Sequence, residues 1–130
     1  MQIAVLGAEL MGHALALVYA LGGHTVRITD NNHETLERSR GAMQVVLATL
    51  REGNEVDASW TETKLAAAVT PCATLSETLT AADIIVEAIT EQPDAKRALY
   101  AEIDTLAPMS AIIASNTSAL DIFPLVPRRR

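Results

Sequence analysis

The stretch Ile3-Ala4-Val5-Leu6-Gly7-Ala8-Glu9-Leu10-Met11-Gly12, read on to Thr25-Val26-Arg27-Ile28-Thr29-Asp30, decides the fold. Four apolar residues ending at a glycine read as a short strand buried on both faces. Beyond the turn, Ala14, Leu17, Val18 and Leu21 recur at the i, i+3, i+4, i+7 spacing of one helical stripe, and Gly22-Gly23 supplies its stop. Thr25 to Thr29 is then a second strand, closed by Asp30. Strand, helix and strand within about 30 residues form a βαβ unit, whose crossover is right-handed in nearly all cases.

The same alternation continues outward. Asn32 to about Leu50 has helical periodicity, with Met43, Val46, Leu47 and Leu50 on one stripe and Asn31 or Asn32 as N-cap. Arg51 to Leu65 is polar and broken by Gly53-Asn54, and reads as a loop with a short helix. Ala67 to Cys72 is a third strand limited by Pro71, and Asp83 to Ala88 a clearer fourth. Asp94 to Ala107 is a helix with Ala95, Leu99, Ile103 and Leu106 inward; Pro108 ends it, and Ala111 to Ala114 makes a fifth strand. The pattern predicts an α/β fold, a Rossmann-type doubly wound parallel sheet of about five strands, in a single domain over residues 1–130.

Composition narrows the classes of function. At 130 residues the chain has room for one ordinary domain, and 49% hydrophobic against 20% charged residues suffices for a real core. Formal charge is −6, and setting aside Arg128, Arg129 and Arg130 leaves seven basic residues against 16 acidic, a balance of −9. That balance argues against nucleic acid as a partner. The apolar run from Ala14 to Leu21 is far short of the roughly 20 residues a membrane helix needs, and no basic segment precedes it. No membrane partner is expected, and a cytoplasmic or organelle-matrix location follows. The one cysteine, Cys72, has no partner for an internal disulfide and suits a reducing compartment. His13, His24 and His33 lack metal-ligand spacing, so no metal is expected.

The turn Gly7 to Gly12 occupies the slot of the dinucleotide fingerprint G-x-G-x-x-G, with Glu9 at the second glycine. Gly7 makes the tight turn and Gly12 lets helix and strand pack closely; the absent middle glycine is the one that brings backbone near a pyrophosphate. A Glu9 carboxylate ~4 Å from a phosphate would be repelled by ~4 kcal/mol at an effective dielectric of about 20, and by less if it swings into solvent. Asp30, 18 residues after Gly12, stands where the fingerprint places an acid on the adenosine ribose hydroxyls. Such an acid repels a 2′-phosphate, which favours NAD over NADP. Asn116-Thr117-Ser118 reads equally as an Asx or Ser/Thr turn capping a helix that starts near Leu120. Glu91 and Asp94 also fit as first-turn acids, Lys96 as a solvated lysine, and Glu87 as a strand-end hydrogen-bonding residue.

Taken together, Gly7-Ala8-Glu9-Leu10-Met11-Gly12, Asp30, Ile85-Val86-Glu87-Ala88-Ile89-Thr90-Glu91 followed by Lys96, and Ala114-Ser115-Asn116-Thr117-Ser118 resemble the NAD-binding domain of the 3-hydroxyacyl-CoA dehydrogenases over nearly the whole chain. The resemblance implies NAD held by Gly7, Ala8, Leu10, Met11, Gly12, Asp30, Ala88, Glu91, Lys96 and Asn116. It implies that Ser118 hydrogen-bonds the substrate oxygen near the nicotinamide and that Asn116 shapes the same floor. The implied substrate is a small molecule, an acyl-CoA or another 3-hydroxy acid, and the implied full-length enzyme is a homodimer acting in fatty acid metabolism.

Three departures stand beside the likeness. The family's general-base histidine and its helical substrate and dimerisation domain belong after the A-S-N-T-S segment, and this chain stops at Arg130; the expectation is a truncated domain, inactive alone. Glu9 replaces a glycine, and the helix after Asp30 lacks a strongly basic face toward coenzyme A phosphates. A dehydrogenase of a sugar acid or carnitine-like compound, or a non-catalytic binding module, are the other readings.

Overall fold

The computed structural model describes residues 1–127, so the Arg128–Arg130 triplet lies outside the described residues. Five strands, β1 (Gln2–Leu6), β2 (Thr25–Thr29), β3 (Val69–Pro71), β4 (Ile84–Glu87) and β5 (Ile112–Ser115), form one sheet in the order β3-β2-β1-β4-β5. Every pairing is parallel, with Leu6 opposite Thr29 and Glu87, and Glu87 opposite Ser115. The order reverses direction beside β1. Its carboxyl end is therefore the switch point where open sheets of this kind bind ligands.

The period-2 geometry of β1 divides the core. Ile3 and Val5 face a cluster with α1 (Leu10–Leu21), α2 (His33–Glu52) and α3 (Glu62–Ala68) that includes Leu17, Leu36, Met43, Leu47 and Leu65. Ala4 and Leu6 face the opposite cluster with α4 (Leu75–Leu79) and α5 (Pro93–Leu106), which includes Leu79, Ile85, Tyr100 and Ile103. Both faces are buried, as continuous apolar strands require.

Four expectations shift. The helix face of α1 is Gly12, Ala16, Leu17 and Ala20, with Val18 61% exposed: small residues one turn apart bring the helix close to the sheet. On α2, Met43 and Leu47 are buried while Val46 is exposed, and the cap is Asn32, whose side chain accepts from the Glu34 and Thr35 amides. The third strand starts at Val69 because α3, capped by Thr61, continues through Ala66-Ala67-Ala68. Alanines hold a helix at least cost. The helix expected near Leu120 is replaced by a 3-10 turn at Phe123–Leu125, where Pro124 removes a donor.

One element went unread. α4 carries a capping box, Thr74 accepting from the Glu77 amide and Glu77 from the Thr74 amide. That T-x-x-E signature was legible in the chain.

Candidate functional site

The turn after β1 is built by steric exclusion. Gly7 has φ +101°, and a Cβ there would lie 2.6 Å from the Ala88 carbonyl oxygen. A Cβ on Gly12 would lie 1.9 Å from the Gly7 carbonyl oxygen, inside any tolerable contact. These two positions admit only glycine. Glu9 stands as N-cap of α1 at φ −69° and ψ −166°, ordinary extended backbone open to any residue, and its side chain caps nothing. Losing the middle glycine has therefore left the turn intact. Leu10 and Met11 are exposed on the first turn of α1.

Asp30 ties this turn to β2. Its Oδ2 accepts from the Ala8 amide at 2.8 Å and its Oδ1 from the Asn32 amide at 2.8 Å, while the Gly7 amide donates to the Thr29 carbonyl at 2.9 Å. Each carboxylate oxygen keeps a second lone pair for a hydroxyl donor. Beside it opens a groove of about 420 Å³ lined by Gly7, Asp30, Asn31, Leu75, Ile89 and Leu99. Of the residues expected inward on α5, Ile103 is buried, but Lys96 and Tyr100 are buried beside it, a rotation that leaves Ala95 and Leu99 lining this groove and Leu106 exposed.

That rotation is set by Glu87, which is 0% exposed. Its Oε1 accepts from Lys96 Nζ at 2.7 Å and from the Ile89 amide at 2.8 Å. Its Oε2 accepts from Tyr100 Oη at 2.9 Å and from Ser115 Oγ at 2.6 Å. Burial opposes its charge, yet the bonds from Lys96, Ser115, Ile89 and Tyr100 together hold its carboxyl below the usual carboxylate range. Burial first, then the neighbouring Glu87, pushes the Tyr100 phenol up to about 12. Lys96, 1% exposed, is not a solvated lysine: its ammonium bonds Glu87 and, at 3.4 Å, the Ile89 carbonyl.

The two loops beyond β4 and β5 meet through Glu91. Its Oε2 accepts from Thr117 Oγ1 at 2.7 Å and its Oε1 from the Ser118 amide at 3.1 Å. The Asn116 amide donates to the Glu87 carbonyl at 2.8 Å, and the Thr117 amide to Ser115 Oγ at 3.3 Å. Asn116 and Ser118 are exposed on this edge, Ala88 backs the glycine turn, and Asp94 pairs with Arg97 on the surface. The Ser/Thr turn is present, with the Leu120 amide donating to Thr117 Oγ1 at 3.4 Å, but it caps no α-helix. Glu87 is the strand-end hydrogen-bonding residue the sequence suggests, whereas Tyr100, Ser115 and Thr117 are not singled out there as site residues. The spacing of Lys96 and Tyr100, four apart on one helix face, was the available signal.

Among the described residues no group of His, Cys, Asp and Glu is placed to hold a metal ion, and no helix is long and apolar enough to cross a membrane. The cradle at Gly7 and Gly12, the Asp30 acceptors and the adjacent groove fit an adenine dinucleotide, while the Glu9 carboxylate on the turn opposes its charge. A glycine turn entering a helix, an acid closing β2 and the order β3-β2-β1-β4-β5 define a dinucleotide-binding α/β domain. Residues 2–128 match the family described as 3-hydroxyacyl-CoA dehydrogenase, NAD binding domain, and the chain belongs to that family.

Relatives agree. The chain is 36% identical over 124 residues to a probable 3-hydroxybutyryl-CoA dehydrogenase of Bacillus subtilis, covering 93% of this chain and 42% of that protein. It is 30% identical over 123 residues to a probable 3-hydroxyacyl-CoA dehydrogenase of Caenorhabditis elegans, covering 92% and 40%. The crystal structure of 3-hydroxybutyryl-CoA dehydrogenase from Escherichia coli K12 superposes with a TM-score of 0.86 at 28% identity, over 96% of this chain and 26% of that one. The chain thus spans about two fifths of the length of such curated relatives.

Proposed function

We propose that this chain is the cofactor-binding half of an NAD-dependent dehydrogenase that oxidises the 3-hydroxy group of an acyl-CoA to a 3-keto group. The observation that carries this reading is the meeting of the Glu91 and Ser118 loops on the same sheet edge as the glycine turn and Asp30. NAD, when bound, supplies the hydride acceptor. Gly7, Ala8, Leu10, Met11 and Gly12 form the phosphate turn, Asp30 takes the ribose hydroxyls, and Ala88, Glu91 and Asn116 border the cofactor. Ser118 donates to the substrate oxygen and sets its distance from the cofactor. The general base that takes the hydroxyl proton belongs to the region that follows this domain in the family. The full enzyme works as a cytoplasmic homodimer in fatty acid metabolism, with neither nucleic acid nor membrane as partner.

One observation favours a substrate without coenzyme A. Helix α2 carries Arg38, Arg40 and Arg51 against Glu34, Glu37 and Glu52, so it offers no net positive face to the coenzyme's phosphates. Glu9 likewise favours the reading as a binding module that has lost its dinucleotide.

Titration with NAD and NADP separates these readings. Weak NAD binding is expected, with none of NADP because Asp30 opposes its 2′-phosphate. Glu9→Gly should tighten NAD by about tenfold, the ~1.4 kcal/mol that solvent screening leaves of the repulsion. No binding by either form would leave the module reading. In a coupled assay with NAD and 3-hydroxybutyryl-CoA, the 130-residue chain is expected to show no turnover. Turnover would place the base within it.

A further inference from the structure

We infer that Glu87 is the positioning residue of the substrate floor: a single buried carboxylate holds both loops that carry Glu91 and Ser118. The inference rests on the dehydrogenase reading for what the floor does, and on geometry alone for how it is held. Four donors saturate the two oxygens of Glu87, and they come from three places: the Ile89 amide in the loop after β4, Ser115 at the end of β5, and Lys96 and Tyr100 from α5. Ser115 passes the restraint on, since its Oγ accepts from the Thr117 amide while donating to Glu87. Glu91 then closes the ring by holding Thr117 and Ser118 from the loop that Glu87 has anchored at Ile89.

The consequence is that the place of Ser118 does not follow from its own loop. Residues 116–118 follow an edge strand, and no regular element follows until the turn at Phe123. Their restraints lead back to β4. Glu87 touches neither cofactor nor substrate from this position, being wholly buried; it acts through Ser115 and Ile89. A carboxylate suits this task because it accepts from amide, ammonium and hydroxyl donors at once, and because its charge shortens each bond.

Two charge-balanced double variants test this. Glu87→Gln with Lys96→Met keeps an acceptor for the Ile89 amide and lets the Ser115 and Tyr100 hydroxyls turn to accept from the new amide. Glu87→Leu with Lys96→Met removes the same buried charges but leaves no tether. Amide hydrogen exchange, read by NMR in the 130-residue chain, reports the loop without any ligand. The leucine pair is expected to lose about tenfold in protection at Thr117 and Ser118, the worth of one hydrogen bond, and the glutamine pair less than threefold. NAD affinity should fall about fivefold for the leucine pair alone.

Unchanged exchange at Thr117 and Ser118 in a folded leucine variant overturns the inference. Should that variant not fold, Ser115→Ala cuts the relay alone, and wild-type protection at Thr117 in it overturns the inference equally. If the wild type itself binds no NAD, the dehydrogenase reading fails while the exchange result still decides the role of Glu87.

Discussion

Gly12→Ala is expected to abolish NAD binding and to cost the domain about 3 kcal/mol, the upper range for forcing an atom into packed surroundings. The added Cβ would meet the Gly7 carbonyl oxygen at 1.9 Å and its carbon at 2.6 Å. Both are backbone atoms, so no side chain can turn away. Gly7 is itself closely packed, since a Cβ there would meet the carbonyl oxygen of Ala88, the residue after β4, at 2.6 Å. Helix α1 must therefore move off the sheet, opening the contacts of Ala16, Leu17 and Ala20. Gly41→Ala provides the contrast: nothing lies within 4 Å of its Cβ, and alanine in the middle of α2 should stabilise by about 1 kcal/mol. Urea midpoints and NAD titration of both variants check the pair. A Gly12→Ala protein with the wild-type midpoint would show that α1 is not locked against the turn.

Lys96→Met is expected to destabilise the protein at neutral pH by about 3–5 kcal/mol, the penalty for leaving one member of a buried ion pair uncompensated. Methionine matches the volume of the lysine stem, so packing is nearly preserved and the loss reports charge. The pH dependence carries the sign. In the wild type the Glu87 carboxyl lies below its ordinary value of 4.5, so its contribution is fully present above that value and lost as pH falls through the lower folded value. Without the ammonium, one of the bonds that oppose burial is gone and the carboxyl rises from its wild-type position. The penalty of the variant is then full at neutral pH and shrinks as pH falls and Glu87 takes a proton. Urea midpoints at pH 7 and pH 5 should show the gap between the two proteins narrowing. A gap that stays constant would mean that Glu87 and Lys96 do not depend on one another for their charge.

Much of this is legible in the sequence because it is local. The βαβ start, the glycine turn and the acid closing β2 are carried by consecutive residues whose periodicity and sterics need no distant partner. The five strands are legible for the same reason, and β3 departs from its expected start only where alanines extend α3. The inward face of α5 keeps Ile103 from the expected stripe but departs from it at Lys96 and Tyr100, whose polar ends give no local sign of burial. Their burial depends on a carboxylate 9 and 13 residues earlier, on another element. Lys96, implied as a cofactor contact, was drawn inside by the same partner.

The sequence by itself determined the α/β class, the parallel sheet, the position of the dinucleotide turn and the family likeness, since each follows from residues close together in the chain. Only the tertiary structure decided that Glu9 sits in ordinary backbone without distorting the turn, and that Glu87 anchors both loops of the floor. The physical reason is separation: a hydrogen bond between Ser115 and Glu87 spans 28 residues, and nothing in the local pattern of either end announces the other.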